Sequence, residues 1–429
     1  MLSSGVGWWR AEARVEDGPG GRWGLRVPVL RGDPGRLGPE VGAWAAAMVE
    51  KMRPAAVWIC DGSEGEAHEV SQHLLRRGLL RRLGREESRA GRLPAHGRLL
   101  CRSSKSDVAR VEGKTLVVTD RRDQVEGCAE GQSSLLAKWM SRRSMEQELD
   151  GRFPGCMRGR ILYLIPFSMG QVGGKGSLVA VQLTDSPYVL LASRLTTRVS
   201  TEVLDLIRLG RVSRWVRCVH SVGQPMPQLK PALWECNPGK TLIVHDLDRL
   251  SIHSFGSGYG GNAVLGKKCL SLRMANALGQ KEGWLAAHMG LFALSRKRDG
   301  LRRYIGCAFP SGCGKTNLAM LDPKALPGWR RQGLGDDITW LRPDPATGRL
   351  LAMNPEAGIF AVATGSNKDT NPIAVQTTFP DALFTNCAQL DSGEVFWDEA
   401  DQDESVTPDT ELEDWLEQRR RRGDSRGVS

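Results

Sequence analysis

Short apolar runs alternate with turn-forming residues along the first half of the chain, and they predict the strands of a sheet. The runs are KTLVVTD (114–120), RILYLIPFSMG (160–170), SLVAVQLTD (177–185), YVLLASRL (188–195) and KTLIVHDLD (240–248). One helix is predicted among them, over TEVLDLIRLG (201–210). The alternation predicts an α/β fold whose N-terminal domain is built on a mixed sheet.

The second half of the chain shows helical spacing first and strands later. Apolar residues recur every three or four positions over 262–279, which predicts a helix, and a second helix is predicted over 284–294. A strand, a loop and a helix follow over 304–321, and DDITWLR (336–342) predicts one further strand. From the strand, loop and helix at 304–321 we predict an incomplete phosphate-loop domain in this half of the chain.

The basic residues are spread along the chain, although the net charge of the 429 residues is +10. The densest stretch, 74–92, alternates pairs of leucine with pairs of arginine, as a solvated amphipathic helix does. We therefore expect no nucleic-acid partner. After Trp397, ten acidic residues lie between Asp398 and Glu417 with few apolar residues among them, and we expect a disordered tail over 398–429.

Composition and cysteine usage indicate a soluble protein of a reducing compartment. No apolar run approaches the roughly 18 residues that span a bilayer, and the N-terminus has no apolar signal region, so we expect no membrane association. The ten cysteines are irregularly spaced and form no Cys-x-x-Cys pair, which argues against structural zinc and against a disulfide framework.

The segment AFPSGCGKTNLAM (308–320) predicts a phosphate-binding loop between a strand and a helix. Its backbone amides, the charge of Lys315 and the hydroxyl of Thr316 suit a nucleotide with Mg²⁺, although Phe309 and Pro310 stand where the common pattern has glycine. Some 20 residues later, GDDITW (335–340) supplies paired carboxylates for a divalent cation. The alternatives are an ordinary glycine-rich turn and an acidic surface turn.

A second glycine-rich segment, SFGSGYGGNAVLGKKC (254–269), leads into the helix predicted over 262–279. Its backbone could approach a ligand closely around Tyr259, Gly260 and Gly261, whereas the alternative is a flexible linker. His288 falls in the predicted apolar helix, where a lone histidine is more often a core residue than a ligand.

These motifs, preceded by DVARVEGKT (107–115), resemble GTP-dependent phosphoenolpyruvate carboxykinases. The resemblance runs from ICDGSEGE (59–66) to FTNCAQLDSGEVFW (384–397). The phosphate loop resembles the GTP-using branch, Phe-Pro-Ser-x-Cys-Gly-Lys-Thr-Asn, so the missing glycine marks a specialised loop. Gly312 stands where that family usually has alanine.

The resemblance implies a role for each matching residue. The residues implied in catalysis are Cys313, Arg110 and Lys315. Those implied in binding oxaloacetate or phosphoenolpyruvate are Arg110, Tyr259, Gly260, Gly261 and Ser311. Those implied in binding GTP or GDP are Gly312, Cys313, Gly314, Lys315, Thr316 and Asn317. The implied ligands of a catalytic Mn²⁺ are Lys268, His288 and Asp337, with a second Mg²⁺ or Mn²⁺ carried by GTP.

The implied reaction is loss of CO₂ from oxaloacetate followed by transfer of the γ-phosphoryl group of GTP to the enolate oxygen. We expect a variable segment at 1–50, an N-terminal carboxykinase domain at 51–255 and a partial phosphate-loop domain at 256–397. Segments resembling the family's Gly-Gly-Arg-Arg motif and guanine clamp do not follow Trp397, so phosphoryl transfer by this chain is expected to fail.

The alternative to a carboxykinase is a non-catalytic paralogue that retains only metal and phosphate binding. The resemblance further implies a monomer located in the cytoplasm or in the mitochondrial matrix.

Overall fold

The computed structural model describes residues 27–83, 97–109, 111–125, 138–226, 234–309, 313–320, 326–362, 364–369, 371–378, 381–397 and 406–424. The α-helices of these residues are α1 (Gly38–Met52), α2 (Glu64–Arg76), α3 (Arg142–Asp150), α4 (Pro187–Thr196), α5 (Glu202–Arg208), α6 (Gly260–Ala263), α7 (Ala275–Glu282), α8 (Lys315–Ala319) and α9 (Pro372–Thr377). A π-helix covers Gly266–Met274. Within the described ranges, no helix has both the length and the apolar character needed to cross a membrane.

The strands of the first 260 residues are β1 (Val29–Arg31), β2 (Ala56–Ile59), β3 (Arg81–Arg82), β4 (Arg98–Cys101), β5 (Thr115–Val118), β6 (Lys138–Met140), β7 (Ile161–Met169), β8 (Leu178–Thr184), β9 (Arg198–Val199), β10 (Val216–Ser221), β11 (Leu242–Asp246) and β12 (Ser251–Phe255). Those that follow are β13 (Leu285–Ala287), β14 (Gly290–Arg296), β15 (Arg302–Cys307), β16 (Trp329–Gly335), β17 (Thr339–Pro343), β18 (Leu350–Met353), β19 (Ala382–Thr385), β20 (Ala388–Leu390), β21 (Val395–Phe396), β22 (Glu411–Glu413) and β23 (Arg419–Arg421).

The chain forms two compact units that alternate along the sequence. The first unit takes the described residues of 1–66, 106–231 and 235–277, and the second takes those of 67–105, 232–234 and 278–429. A single division after residue 255, as predicted, therefore does not separate them. Residues 67–105 pack with the second unit although they precede most of the first.

The first unit is built on a mixed sheet with the strand order β1-β2-β7-β8-β10-β12-β11-β5-β6, in which β9 also pairs with β7. Its central strands β7 and β8 are antiparallel to each other and almost entirely buried. Continuous apolar runs such as theirs are typical of strands covered on both faces. The predicted mixed sheet is confirmed.

The second unit contains smaller sheets, ordered β13-β17-β18, β15-β14-β16, β19-β4-β3 and β21-β20-β22-β23. The strand predicted before the phosphate loop is confirmed as β15, and the strand predicted at 336–342 is confirmed as β17. The helix predicted over 262–279 is found as the π-helix followed by α7.

Two apolar segments were predicted with the wrong secondary structure. Residues 188–195, predicted as a strand, lie in α4, which begins with Pro187 at its first position, a common place for proline. Residues 284–294, predicted as a helix, form β13 and β14. In a short buried segment nearly every residue is apolar, so the spacing of the apolar residues does not distinguish a helix from a strand.

The helix predicted over 74–92 is also wrong, because α2 ends at Arg76 and β3 follows at residues 81–82. Gly78 has a φ of +68°. The amide of Leu79 donates to Leu74 O at 2.9 Å and that of Gly78 donates to Leu75 O at 3.0 Å. This is a Schellman C-cap, in which glycine supplies the left-handed residue. Residues 84–92 of the prediction lie outside the described residues.

The acidic segment near the C-terminus is folded over residues 406–424, so the expectation of a disordered tail is wrong there. Strand β22 pairs with both β20 and β23, and Leu412 is fully buried against Ala388 and Phe396. Arg81 pairs with Glu413 at 2.6 Å. The segment thus forms part of a sheet together with the preceding strands β20 and β21.

Candidate active site

The glycine-rich turn of the first unit joins β12 to the short helix α6. Its last residue, Tyr259, is half-buried, and Gly260 and Gly261 are the first two residues of α6. The three residues predicted to bind substrate therefore lie where the turn passes into this helix. Arg110 and Ser311, the other predicted substrate ligands, lie outside the described residues.

Asp107, of the DVAR motif, holds this turn. Its carboxylate accepts a hydrogen bond from the Ser257 hydroxyl at 3.1 Å and another from the Gly258 amide at 2.9 Å. Burial raises the pKa of Asp107, and the hydrogen bonds from Ser257, Gly258 and Val108 act in the opposite direction. A Cβ on Gly258 would lie 2.7 Å from the carbonyl oxygen of Glu235, so only glycine fits there.

His220 supports the same turn from the sheet side. Its Nε2 lies 2.7 Å from the carbonyl oxygen of Ser257, and its Nδ1 lies 2.8 Å from the Thr184 hydroxyl. A carbonyl only accepts, so Nε2 carries the proton and Nδ1 accepts from Thr184. Burial lowers the pKa of His220, which keeps this neutral tautomer.

The π-helix of the first unit carries Lys268, the predicted metal ligand, beside Lys267. Lys268 is half-buried, whereas Lys267 is 3% exposed. A Cβ on Gly266, the first residue of this helix, would lie 2.7 Å from the Thr197 side chain, so the helix begins in close contact with its surroundings. π-Helical turns are rare and occur frequently at functional sites.

Two strand pairings of the second unit place the other predicted metal ligands side by side. His288 lies between β13 and β14, and Asp337 lies between β16 and β17. Strand β13 pairs with β17, from Ala287 opposite Thr339, while β14 pairs with β16, from Leu291 opposite Gly335. The two intervening turns must therefore meet. His288 was predicted within a helix, and the structure corrects this to a turn between strands.

His288, Asp337 and Lys315 form a compact cluster in the second unit. His288 Nε2 lies 2.5 Å from Asp337 Oδ1 and 2.8 Å from Lys315 Nζ. Lys315 Nζ lies 3.7 Å from Asp337 Oδ1. The Lys315 and Asp337 side chains are 7% and 12% exposed. The cluster thus combines an imidazole nitrogen, a carboxylate and a cation with little solvent around them.

The two contacts of His288 Nε2 compete with each other. A ring nitrogen either donates its proton to Asp337 or accepts from the Lys315 ammonium through its lone pair, but it does not do both. With the lone pair free, Nε2 and Asp337 Oδ1 form a nitrogen and oxygen donor pair of the kind that binds Mn²⁺ or other first-row metals. The chemistry of this pair fits the metal that the motifs imply.

The nucleotide loop is described from Cys313 onward, and Gly312 lies outside the described residues. Cys313 is exposed, and Gly314 has a φ of +81°, a left-handed conformation that favours glycine. Lys315, Thr316 and Asn317 form the start of the single-turn helix α8. The structure thus brings the described members of the predicted nucleotide set together at the end of β15.

Sequence reasoning missed the residues that support these ligands. Asp107 and Ser257 lie in motifs without a predicted role of their own, His220 lies outside the motifs, and the closeness of Lys315 to His288 was not predicted. The available signal was weak: a carboxylate three residues before Arg110 and a serine two residues before Tyr259. Their roles depend on contacts across 150 positions of sequence, which local patterns do not encode.

Comparison with known families matches nearly all of the chain. Residues 43–280 match the phosphoenolpyruvate carboxykinase N-terminal domain. Residues 284–429 match the phosphoenolpyruvate carboxykinase C-terminal P-loop domain. The second match includes the acidic segment after Trp397 and so extends beyond residue 397, where the resemblance seen in the sequence ends.

Individual relatives give the same result. The chain is 47% identical over 401 residues to phosphoenolpyruvate carboxykinase [GTP] of Haemonchus contortus, which covers 93% of this chain and 62% of that protein. It is 42% identical over 390 residues to the cytosolic enzyme of Gallus gallus, covering 90% and 60%. It is 45% identical over 392 residues to the mitochondrial enzyme of Homo sapiens, covering 90% and 58%. The chain spans about three fifths of the length of these curated relatives.

Proposed function

Because the chain belongs to the GTP-dependent phosphoenolpyruvate carboxykinase family, we propose that it converts oxaloacetate and GTP to phosphoenolpyruvate, GDP and CO₂. The substrates are then small anions, and the reaction is that of a carboxy-lyase coupled to phosphoryl transfer. The family implies a divalent metal, and we propose Mn²⁺ at the protein site with Mg²⁺ or Mn²⁺ on the nucleotide.

The observation that carries this proposal is the cluster of His288, Asp337 and Lys315. A metal bound there would act as a Lewis acid toward the oxaloacetate carbonyl and lower the barrier to loss of CO₂. His288 and Asp337 would hold it through Nε2 and Oδ1, which lie 2.5 Å apart. Lys268, on the π-helix, is proposed as a third ligand on the resemblance alone.

The remaining residues bind and orient the two substrates. Lys315 lies 2.8 Å from His288 and would turn its ammonium to the transferred phosphoryl group once a nucleotide is bound. Thr316 and Asn317 are proposed to contact the nucleotide phosphates and their cation. Tyr259, with the backbone of Gly260 and Gly261, is proposed to position oxaloacetate beside Arg110.

Phosphoryl transfer needs the enolate oxygen and the γ-phosphorus to be aligned within a fraction of an ångström. We propose that well-ordered conformations of the glycine-rich turn and of the nucleotide loop, rather than the metal alone, set this alignment. We propose the cytoplasm or the mitochondrial matrix as its compartment, because the chain is similarly identical to cytosolic and to mitochondrial relatives. We also propose a monomer that binds neither nucleic acid nor membranes.

The test is a coupled assay of both phosphoenolpyruvate and pyruvate on the purified 429-residue chain with Mn²⁺, GTP and oxaloacetate. Carboxykinase activity predicts phosphoenolpyruvate formation that Lys315→Ala abolishes. Slow Mn²⁺-dependent release of pyruvate without phosphoenolpyruvate would instead agree with the expectation that phosphoryl transfer by this chain fails. If neither product forms while Mn²⁺ and GDP still bind, the carboxykinase proposal fails and the non-catalytic alternative is favoured.

A further inference from the structure

We propose that Asp107 is a positioning residue that, through Ser257, holds the loop carrying Arg110 and the glycine-rich turn 257–262 in one arrangement. The inference rests on the proposed function in one respect, because it takes these two loops to be the oxaloacetate site. The coupling of the loops is a property of the chain itself and is tested separately below.

The first contact set joins Asp107 to the turn. Its two carboxylate oxygens accept from different groups, Oδ1 from the Ser257 hydroxyl at 3.1 Å and Oδ2 from the Gly258 amide at 2.9 Å. Oδ1 also accepts from the Val108 amide at 3.0 Å. One carboxylate therefore bonds both to its own loop and to the turn.

The second contact set also has its donor on the turn, but it reaches the backbone of the loop. The side-chain amide of Asn262 donates to the carbonyl oxygen of Val108 and to the Ser257 hydroxyl, both at 3.1 Å. Val108 lies two residues before Arg110, so this bond fixes the backbone that leads to the arginine. The turn thus supplies the donors in both contact sets, and the loop that leads to Arg110 supplies the acceptors.

Ser257 is the residue on which these contacts meet. Its hydroxyl donates to Asp107 and accepts from the side-chain amide of Asn262. The backbone amide of Tyr259 lies 3.3 Å from the same hydroxyl oxygen. Its carbonyl oxygen accepts from His220 at 2.7 Å. The side chain therefore joins the two loops while the main chain is fixed to the sheet.

The partners of Asp107 among the described residues are neutral donors: the Ser257 hydroxyl and the amides of Val108, Gly258 and Tyr259. A half-buried carboxylate that depends on such donors loses part of its stabilisation if the loops separate. Hence the arrangement of the two loops and the burial of the carboxylate are linked. If Asp107 had a purely structural role, replacing it would affect folding and would weaken ligand binding at the oxaloacetate loops and at the nucleotide loop alike.

The experiment compares Asp107→Asn and Ser257→Ala with the wild-type chain, and uses Asp150→Asn, an exposed aspartate of the same unit, as the matched control. Asparagine keeps the shape of Asp107 but directs an N–H toward the Gly258 amide if Oδ1 keeps its bonds. Hydrogen exchange is measured in peptides covering 105–115 and 255–264 without any ligand. Dissociation constants are measured for phosphoenolpyruvate with Mn²⁺ and, separately, for GDP.

We expect faster exchange in both peptides of Asp107→Asn, a phosphoenolpyruvate affinity about tenfold lower, and a GDP affinity within twofold of wild type. Ser257→Ala should act in the same direction, because it removes the hydroxyl that joins Asp107 to Asn262. Asp150→Asn should match the wild type in every measurement. Unchanged exchange in the glycine-rich turn of Asp107→Asn would overturn the coupling.

Failure of the proposed function gives a different result. In that case the wild-type chain binds no phosphoenolpyruvate, whereas the exchange experiment still decides whether Asp107 couples the loops. Equal loss of phosphoenolpyruvate and GDP affinity, with a lower melting temperature, would show a general folding role and would overturn the positioning role.

Discussion

Lys315 lies beside both proposed metal ligands, His288 and Asp337. Its ammonium is 2.8 Å from the imidazole nitrogen and 3.7 Å from the carboxylate oxygen. The cluster is thus already arranged around a positive charge. A metal entering without a nucleotide must displace that ammonium or approach it closely, whereas nucleotide phosphates give the ammonium another partner.

Replacing Lys315 with methionine should therefore strengthen Mn²⁺ binding in the absence of nucleotide while abolishing phosphoryl transfer. Repulsion between a divalent and a monovalent cation about 4 Å apart is on the order of 2 kcal/mol even at the dielectric constant of water. Manganese titration followed by electron paramagnetic resonance measures the affinity, with the exposed Lys281→Met as the control. Weaker Mn²⁺ binding in Lys315→Met would show that the ammonium supports the metal site.

Cys313 should be alkylated selectively, and bound GDP should prevent the reaction. It is exposed, whereas the other described cysteines are buried, and the nucleotide loop that carries it should close over phosphates. Peptide mapping after labelling with and without GDP measures this, and Cys313→Ser identifies the labelled peptide. Equal labelling in both conditions would favour a loop that does not enclose the nucleotide.

His245 should make the first unit less stable below neutral pH. It is fully buried in β11, with Nδ1 3.3 Å from the carbonyl oxygen of Leu116. Burial, with a contribution from the charge of Arg273, lowers its pKa to about 3. The unfolded chain binds a proton near pH 6.5, whereas the folded chain does not, so stability is present above that pH and is lost as the pH falls toward 3.

The corresponding measurement is urea unfolding of the wild type and of His245→Asn between pH 7 and pH 5. The histidine should contribute a slope of at most about 1.4 kcal/mol per pH unit, which the variant lacks. His68→Asn, a change at an exposed histidine, should keep the wild-type slope. Equal slopes for wild type and His245→Asn would contradict the assignment.

Among secondary-structure elements, the sequence predicts where apolar segments lie but does not always distinguish a helix from a strand. The strands of the first sheet and the strand, loop and helix around Lys315 agree with the pattern. The segments at 187–196 and 285–296 do not, because tertiary burial removes the polar positions that reveal a period.

The candidate site is also only partly predictable from the sequence. His288, Asp337 and Lys315 stand in motifs that identify them from sequence, but their mutual distances depend on the pairing of β13 with β17 and of β14 with β16. Asp107 bonds to Ser257, 150 positions away. Such support is fixed by the folded sheet and has no local pattern.

The C-terminal strand β22 should contribute to the stability of the second unit. Leu412 is fully buried, and Leu412→Ala should cost about 2–4 kcal/mol, the range for truncating a buried leucine. The exposed neighbour Glu411 provides the matched control, since Glu411→Ala should change stability little. Native-state hydrogen exchange of β20 and β22 measures both. Equal protection in the two variants would mean that the strand is not part of the folded unit.

At the scale of the whole molecule, the chain carries both domains of its family and about three fifths of the length of the relatives compared. The predicted ligands are divided between its units: Lys268 and the glycine-rich turn belong to the first, and His288, Asp337 and the nucleotide loop belong to the second. Metal binding requires fewer of these ligands than phosphoryl transfer does, so it can be measured without the complete set.

The most direct test is thermal unfolding of the purified chain with increasing Mn²⁺. A metal that binds only the folded chain stabilises it by about 2.7 kcal/mol when present at 100 times its dissociation constant. We predict that Mn²⁺ raises the melting temperature of the wild type and of His68→Ala, a change at an exposed histidine, but not that of His288→Ala. The same rise in His288→Ala as in the wild type would contradict the metal site.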